Sequence, residues 1–469
     1  MYWAGRIAAR IIVAAAFMAA LSPPAAFASL SIAVGPSTNV TCASQVCTAT
    51  AADANLSMKT LRNLLASGDV KVVSGSIAGD IVVAGALTWI SSSTLTLDSY
   101  HSIIVNKPVS VAGTGGLVLT TNDGGTNGSL LFEGNGKVGF LSTTNQLVLN
   151  GDKYKLESDI KTLAYDIVRV PGGHFALANS YDASVDGVYS ASPISVPFKG
   201  AFTGLGNVIS KLEIADQADA YVGFFATLSA KGTISNVGII NAVIEGGTRQ
   251  SVGGLVGFNH GTIDNSFVSG VIGNVSSSGG LVADNLGTIS RCRSAGTVHG
   301  SPAGGLVSSN GGIIERSFAA ATVNTSGEGG GLVGSNSYGV PGTIVDSYTT
   351  GEVTGKSGYF GGLAADNYQS SISTSYSTGA VNGRPKSTIG GSVGYSTGVF
   401  ANTYWDTTTS GITDLSKGAG NVSNAPGITG LSTTQLQSGL PAGFDPAIWA
   451  ENPSINGGLP YLLDNPPPG

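Results

Sequence analysis

Short apolar runs separated by glycine, asparagine and serine recur at regular intervals in the second half of the chain. One four-residue opening returns six times, and successive copies begin 26, 25, 26, 31 and 29 residues apart. A period of this size is typical of a solenoid, in which each unit buries its apolar side chains only against its neighbours. The openings begin at Gly253, Gly279, Gly304, Gly330, Gly361 and Gly390, and a degenerate copy begins at Gly223.

The runs inside each copy are too short for helices and rich in β-prone residues. We therefore predict that each copy forms one coil of a parallel β-helix, about 4.8 Å from the next coil. Stacked coils place equivalent side chains on top of one another. An apolar position then forms an interior column, Ile263, Ile289, Ile314, Ile344, Ile372 and Phe400. An asparagine six residues into five copies predicts a ladder of side-chain amides, Asn259, Asn285, Asn310, Asn336 and Asn367.

An aromatic residue closes most copies, after a small side chain. Arg293 replaces it in one copy. Aromatic side chains stacked along parallel strands stabilise a rod by themselves, and this is the interpretation we favour. The alternative is a face on which sugar rings stack. The aromatic column comprises Phe267, Phe318, Tyr348, Tyr376 and Tyr404.

The first residues have the pattern of an export signal. Arg6 and Arg10 precede the apolar run 11–21, and Ala26, Phe27 and Ala28 form a small-x-small cleavage site. The run is too short to span a membrane, and the mature chain contains no other candidate. The sequence therefore predicts a secreted protein without a transmembrane segment.

The remaining chain divides by its patterns. Leucines within 51–67 predict a short helix, capped near Asp53 or Asn55 and ending at Gly68, that closes the first coil. Trp405, Phe444, Trp449 and Tyr461 are large enough to cover the last coil. The predicted regions are a signal peptide (1–28), an N-terminal cap segment (29–68), irregular β-helix coils (69–159), a loop-rich connecting segment (160–221), the repeat β-helix (222–411), and an irregular C-terminal cap with a disordered tail (412–469).

Composition adds to the picture of an elongated, exported protein. Only 11% of the residues are charged, 70 are glycine, and the net charge is −6. An acidic chain is a poor match for nucleic acid, so we predict no such partner. Cys42 and Cys47 are expected to form a disulfide in an oxidising compartment. Cys292 stands in the small-residue column, which predicts a buried structural thiol.

The repeated phrase from Gly253 to Phe267 resembles the GLUG repeat of bacterial surface exoproteins. The N-terminal half, with Leu95–Leu97 and 109–119, resembles filamentous haemagglutinin-like adhesins. The resemblance implies a right-handed β-helix, attachment to a glycan or protein of a host surface or matrix, and an outer-membrane secretion partner.

Catalysis is not predicted. β-Helices also house polysaccharide lyases and glycosidases, which remain the alternative, as does a stalk within a larger assembly. Such an enzyme needs acids that converge, whereas Asp284 and Asp366 are three coils apart, about 14 Å. The four histidines have no metal-binding spacing, and we predict no metal or cofactor.

Overall fold

The computed structural model describes residues 28–274 and 277–468. The predicted signal peptide lies outside the described residues, apart from its last residue. Nearly all regular structure is β, and successive coils pair through parallel strands. The prediction of an all-β parallel β-helix is therefore confirmed. The described helices are Met58–Leu65, Gly75–Ala78, Ile160–Arg169 and Thr433–Leu436, with 3₁₀ turns at Ala183–Asp186, Leu415–Lys417 and Asn456–Gly458.

Residues 29–149 form a first solenoid with three parallel faces. Strands of successive coils pair in register, for example Leu95 with Leu117 and Ile81 with Ile103. Alternate side chains point inward, which gives the interior its valine, leucine and isoleucine core. Its strands are Ser29–Ala33, Val40–Ala43, Val46–Ala49, Ala54–Ser57, Val70–Val73, Asp80–Val83, Leu87–Trp89, Thr94–Asp98, Ile103–Val105, Val109–Val111, Gly116–Thr120, Leu130–Phe132, Val138–Phe140 and Gln146–Leu149.

The first coil is covered by the helix Met58–Leu65. Leu61 and Leu65 are fully buried against the core of the first solenoid, and Arg62 donates to the carbonyl of Ala86 at 2.7 Å. The helix begins later than expected, because residues 54–57 form an edge strand before it. A helix at this position shields strand edges that would otherwise be open to pairing with another chain.

The chain reverses between the two solenoids. Strand Asp152–Glu157 pairs antiparallel with Gln146–Leu149, and then parallel with His174–Leu177, the next strand of the second solenoid. Helix Ile160–Arg169 follows, with Asp159 as its N-cap; the carboxylate accepts from the Thr162 amide at 2.8 Å. Ile160, Leu163 and Ile167 of this helix belong to the core of the second solenoid.

The segment 160–221, predicted to be a loop-rich connection, contains strands of the second solenoid between its loops. The segment lacks the repeated phrase, but it supplies rungs in register with the later coils: Phe175 pairs with Phe202, and Phe202 with Ile234. Apolar residues at the inward positions are enough to continue the solenoid, while its corners vary in length. The strands of this segment are His174–Leu177, Tyr181–Asp182, Ala201–Thr203, Val208–Ser210, Glu213–Asp216 and the first two residues of the next coil, Tyr221–Val222.

Seven coils follow, including the degenerate copy. Ile234, Ile263, Ile289, Ile314, Ile344 and Ile372 pair in one unbroken column, and each is at most 1% exposed. The strands are Phe225–Leu228, Thr233–Ser235, Gly238–Gly246, Ser251–Gly253, Val256–Asn259, Thr262–Asp264, Phe267–Ile272, Ser277–Gly279, Val282–Asn285, Thr288–Ser290, Arg293–Gly300, Ala303–Gly304, Val307–Asn310, Ile313–Glu315, Phe318–Thr325, Gly329–Gly330, Val333–Ser335, Thr343–Val345, Tyr348–Thr349, Val353–Gly355, Tyr359–Gly361, Ala364–Asn367, Ser371–Ser377, Val381–Gly383, Thr388–Gly390, Val393–Ser396 and Val399–Asp406.

One bend in every coil is made without glycine. It uses a left-handed residue with φ between 42° and 54°, a conformation that asparagine tolerates and arginine or threonine adopts at a cost. The next residue is buried in all seven coils and is Ser, Cys or Thr in six of them, Val237 being the exception; we call these six residues the serine column. Ser317, for example, donates to the Glu315 carbonyl at 2.7 Å and accepts the Cys292 amide at 3.0 Å. The bend residues are Asn236, Asn265, Arg291, Arg316, Asp346, Thr374 and Asn402.

The C-terminal region differs from the predicted cap and disordered tail. Strand Ile428–Leu431 adds one more rung onto Thr403–Asp406, and a capping box between Ser432 and Gln435 begins the helical turn Thr433–Leu436. Residues 437–468, which we call the strap, then run back along the side of the second solenoid. They include the strands Trp449–Ala450 and Tyr461–Leu462.

Candidate functional site

The five predicted ladder asparagines lie inside the second solenoid. Each side-chain amide donates to the side-chain oxygen of the next, over 2.7 Å for Asn259 to Asn285, 2.7 Å to Asn310, 2.8 Å to Asn336 and 2.9 Å to Asn367. All five are 0% exposed, so the ladder is structural and cannot meet a ligand. Ser396 continues it at the last coil, 3.5 Å from the Asn367 amide nitrogen.

The aromatic column stacks as predicted for a structural column. Ring centroids are 4.8 Å apart for Phe318 and Tyr348, and 5.1 Å for Tyr348 and Tyr376, with nearly parallel planes. The strap covers this column: Trp449 lies 6.0 Å from both Tyr348 and Tyr376, and Phe444 lies 5.8 Å from Tyr404. Phe444 and Trp449 thus cover the side of the solenoid, and do not cap its last coil.

The ligand-stacking interpretation therefore fails for four of the five aromatic residues. Phe318, Tyr348, Tyr376 and Tyr404 are at most 6% exposed, because the strap fills the space a sugar would need. Phe267 alone lies beyond the strap and is partly exposed. Phe444 and Trp449 are recognisable in the sequence as covering residues, but the strap contains no repeat that would show which part of the solenoid they cover.

Cys42 and Cys47 form a disulfide across the antiparallel hairpin Val40–Ala43 and Val46–Ala49. Cys292 is free and fully buried in the serine column, and burial raises the pKa of its thiol. The disulfide has no free thiol, and the thiol of Cys292 is not accessible to solvent. Neither is a candidate for covalent chemistry.

The acids of the repeat coils do not converge. Asp284 and Asp366 stand in one column with Ser309 and Ser335 between them, so the two acids are three rungs apart. Burial raises the pKa of Asp366 to about 6, opposed by a hydrogen bond from Ser335 and reinforced by the charge of Glu328. These acids lie too far apart to act on one bond.

One acid pair that the sequence did not reveal lies in the first solenoid. Asp98 and Asp123 share a hydrogen bond, which together with the charge of Asp98 raises the pKa of Asp123. Lys71 lies 2.5 Å from Asp98. Glycoside cleavage uses carboxyl groups about 5 to 10 Å apart. The carboxyl groups of Asp98 and Asp123 are in hydrogen-bond contact, so they lie closer together than this chemistry requires. Within residues 28–274 and 277–468, no three His, Cys, Asp or Glu side chains are placed to hold a metal ion.

An exposed row of mainly hydroxyl side chains runs along one outer face of the repeat coils. Neighbouring members pair in register, one coil apart, and Ser371 donates to the Thr343 hydroxyl at 3.3 Å. Ile313 interrupts the row and Val399 ends it. We call Thr233, Thr262, Thr288, Thr343 and Ser371 the hydroxyl row.

A groove of about 520 Å³ lies where the two solenoids meet, and we call it the junction groove. One wall is the corner 134–137 of the first solenoid, and the other is the start of three rungs of the second. Two hydrogen bonds join the walls: the Val138 amide donates to the Leu205 carbonyl at 2.9 Å, and the Asn207 side chain donates to the Val138 carbonyl at 2.7 Å. The groove is lined by Pro108, Phe132, Gly134, Asn135, Gly136, Lys137, Ser180, Gly206, Val208, Asn236, Gly238, Asn265, Phe267 and Arg293.

Arg293 and Phe267 form the floor of this groove. They are paired in register, and the guanidinium carbon of Arg293 lies 4.3 Å from the centre of the Phe267 ring. The opposite face of the ring lies against Gly238, where a Cβ atom would come within 2.3 Å of it. A side chain at residue 238 would therefore displace the ring and with it the support of Arg293.

Together these features define a parallel β-helical protein with a hydrogen-bonded interior and polar outer surfaces. No family model matches the chain. A stretch of 142 residues, 30% of this chain, is 32% identical to halomucin of Haloquadratum walsbyi. The chain spans only 1% of the length of that relative, so the similarity concerns one small segment of it.

A solved structure is also similar to the chain: the crystal structure of a putative immunoglobulin A1 protease from Bacteroides ovatus. The two are 21% identical, the match covers 67% of this chain and 92% of the other, and the TM-score is 0.39. A similarity of this size carries no argument about activity. The resemblance to GLUG-repeat exoproteins remains a prediction. None of the helices in the described part of the chain is long and apolar enough to cross a membrane.

Proposed function

We propose that this protein is a secreted, cell-surface exoprotein that attaches to a partner through the outer face of its β-helix and catalyses no reaction. The observation that carries the proposal is the hydroxyl row. Thr233 and Thr262 are exposed, and Thr288, Thr343 and Ser371 are partly exposed. Equivalent hydroxyl groups one coil apart, about 4.8 Å, offer a regular series of donors and acceptors.

Weak contacts along such a row add together when the partner is itself extended. A polysaccharide or an elongated protein can engage several coils at once, and each further contact then forms at high effective concentration. The interior supports this use, because the ladder and the isoleucine column hold successive coils in one register. The resemblance to surface exoproteins supports a glycan or protein of a host surface or matrix as the partner.

The signal-like N-terminal pattern supports export, with an outer-membrane protein as the proposed secretion partner. Fractionation of cells and medium, followed by detection of the protein in each fraction, tests this part. Recovery of the full-length chain from the cytoplasm alone would contradict it.

The attachment face can be tested with purified protein on an array of immobilised glycans and matrix proteins. We expect Thr262→Lys with Thr288→Lys to weaken binding by at least about tenfold, because two long side chains interrupt the row. Ala295→Lys with Ala320→Lys is the matched control, since these exposed residues are also paired one coil apart but lie on another strand, in the coil of Thr288 and the coil after it. Equal loss in both double variants would contradict the assignment of the face. Turnover of a polysaccharide that is abolished by one Asp or Glu substitution would overturn the non-enzymatic proposal.

A further inference from the structure

The junction groove contains two cationic side chains, Arg293 and Lys137. Among the described residues, no carboxylate oxygen lies within 4.0 Å of either cation. The neighbouring Arg291 is different, because Asp264 lies 2.6 Å from its guanidinium. The groove therefore carries positive charge that the chain itself does not neutralise.

Arg293 is also out of place within its own column. The equivalent residue is aromatic in the adjacent coils, Phe267 on one side and Phe318 on the other. Burial lowers the pKa of the Arg293 guanidinium, which still remains charged because arginine titrates far above neutral pH. Its described polar partner is the side-chain oxygen of Asn465, at 3.5 Å, a long hydrogen bond. A half-buried cation with so little compensation is costly for folding alone.

The rest of the groove is polar and held in place. Asn135, Asn236 and Asn265 line it, and the Asn265 amide donates to the Asn236 side-chain oxygen at 2.7 Å. Amide groups of this kind donate to and accept from hydroxyl groups. Its volume of about 520 Å³ lies within the range of about 300–1,000 Å³ typical of ligand pockets.

An adjoining groove indicates how many negative groups a ligand of the junction groove could carry. It shares Phe132, Gly134, Asn265 and Arg293 with the junction groove, but it also carries Glu133 and Asp464. These acids would repel a second negative group beyond Arg293. The surface therefore suits one anionic group on a neutral, hydroxyl-bearing ring, and it does not suit a nucleic acid.

We propose that the junction groove binds an acidic saccharide, with Arg293 and Lys137 contacting its carboxylate or sulfate group and the asparagines contacting its hydroxyl groups. Phe267 is a positioning residue, because it supports the guanidinium from below. The site shares no residue with the hydroxyl row, so this proposal stands independently of the attachment face.

Calorimetric titration of the full-length mature chain with the methyl glycoside of galacturonate, its neutral methyl ester and the methyl glycoside of galactose 6-sulfate, each acid carrying one anionic group, tests the proposal and distinguishes carboxylate from sulfate. We expect the carboxylate or the sulfate ligand to bind at least about tenfold more tightly than the ester, with affinity that falls as salt rises. Arg293→Phe introduces the residue type of the adjacent coils, so the fold should persist while binding weakens by at least about tenfold. Lys137→Ala should weaken binding and Lys153→Ala, an exposed lysine outside the groove, should not.

Three results would overturn the proposal. They are equal binding of the ester and both acidic ligands, unchanged binding by Arg293→Phe, and no binding of any acidic ligand at about 10 mM. Should Arg293→Phe fail to fold, Lys137→Ala decides alone, since its side chain is exposed and leaves no cavity. Unchanged affinity in that variant would then count against the proposal.

Discussion

The side-chain amide of Asn465 donates to the backbone carbonyl of Cys292 at 3.1 Å, across 173 residues of sequence. It also donates to the carbonyl of Arg316, at 3.1 Å, so one side chain bridges two coils. Asp464 beside it lies 3.0 Å from the Arg316 guanidinium. The strap is thereby fixed to coils far from its point of departure at the last coil, and it belongs to the folded body of the second solenoid.

Removing the largest strap side chain should destabilise the second solenoid. Trp449 is 0% exposed and packs on Tyr348, Tyr376 and Phe444. We expect Trp449→Ala to lower the free energy of unfolding by about 3–5 kcal/mol, because it leaves a cavity over the aromatic column. Chemical denaturation measures the loss, and binding of a hydrophobic dye reports exposure of the column.

Leu463→Ala is the matched control for the strap. Leu463 is 44% exposed and lies in the same segment, so its truncation should change stability by no more than about 0.5 kcal/mol. A Trp449→Ala variant as stable as Leu463→Ala, without dye binding, would show that the strap does not hold the column.

The repeated coils could be predicted from sequence because the same residue types recur at equivalent positions of each copy. Ile263 alone does not identify a structure, but an apolar residue that recurs at the same position in five further copies specifies a column and a register. Asn259 and its equivalents follow the same logic. In a solenoid, residues one repeat apart in the sequence lie next to each other in neighbouring coils. The repeat period therefore predicts the tertiary contacts directly.

The strap and the junction groove could not be predicted because their residues occur once. Asn465 and Trp449 meet partners more than 100 residues away, and nothing in their local pattern indicates which coil they contact. For the same reason the strands within 160–221 could not be predicted to be rungs of the solenoid. Phe175 and Phe202 pair in register there, but the repeated sequence of the later coils is missing. Arg293 was visible in the sequence as the exception in its column, and that exception marked the groove.

The asparagine ladder gives a second test of the interior. Asn310 accepts from Asn285, donates to Asn336 and accepts from the Gly312 amide at 3.2 Å. Asn310→Ala leaves buried polar groups on both sides without partners. We expect a loss of about 3 kcal/mol or more in the free energy of unfolding, since each such group costs about 1–3 kcal/mol.

Asn367→Ser should cost less than Asn310→Ala. The next coil already has Ser396 at this position, so a hydroxyl group fits the space. The Asn367 side chain accepts from Asn336 and makes long bonds to the Ser370 carbonyl (3.3 Å) and the Ser396 hydroxyl (3.5 Å), and a serine hydroxyl can accept the first bond and donate one of the others. Equilibrium denaturation of both variants, with the exposed Asn382→Ala as reference, provides the ranking. Equal losses at residues 310 and 382 would show that a buried ladder asparagine contributes no more to stability than an exposed one.

Cys292 should be replaceable by serine and inert as a thiol. Ser266 and Ser317 occupy its position in the adjacent coils, and the Cys292 thiol already donates to the Ser290 carbonyl at 3.1 Å, as a serine hydroxyl would. We expect Cys292→Ser to change stability by less than about 1 kcal/mol. The native thiol should not react with a disulfide reagent until the protein unfolds, because it is fully buried and burial raises its pKa. Rapid labelling of the native protein would contradict this.

Asp366 should make the second solenoid more stable in mild acid. Burial raises the pKa of this carboxyl from 3.8 to about 6, so the folded state binds the proton more tightly than the unfolded state. Its contribution is therefore fully present below pH 3.8 and is lost as the pH rises to about 6, by at most about 3 kcal/mol. Partial exposure of the side chain reduces this amount.

Denaturation between pH 3 and 7 measures that slope, and Asp366→Asn should remove it, since the amide keeps the shape without titrating. Asp182 provides a control of opposite sign, because hydrogen bonds from Lys211 and Ser184 lower its pKa to about 2. Its contribution is present above its ordinary value of 3.8 and is lost in stronger acid, so Asp182→Asn should leave the slope between pH 4 and 6 unchanged. If wild type and Asp366→Asn show the same slope between pH 4 and 6, Asp366 is solvated in the folded protein and the column of Asp284, Ser309, Ser335 and Asp366 is more open than the structure shows.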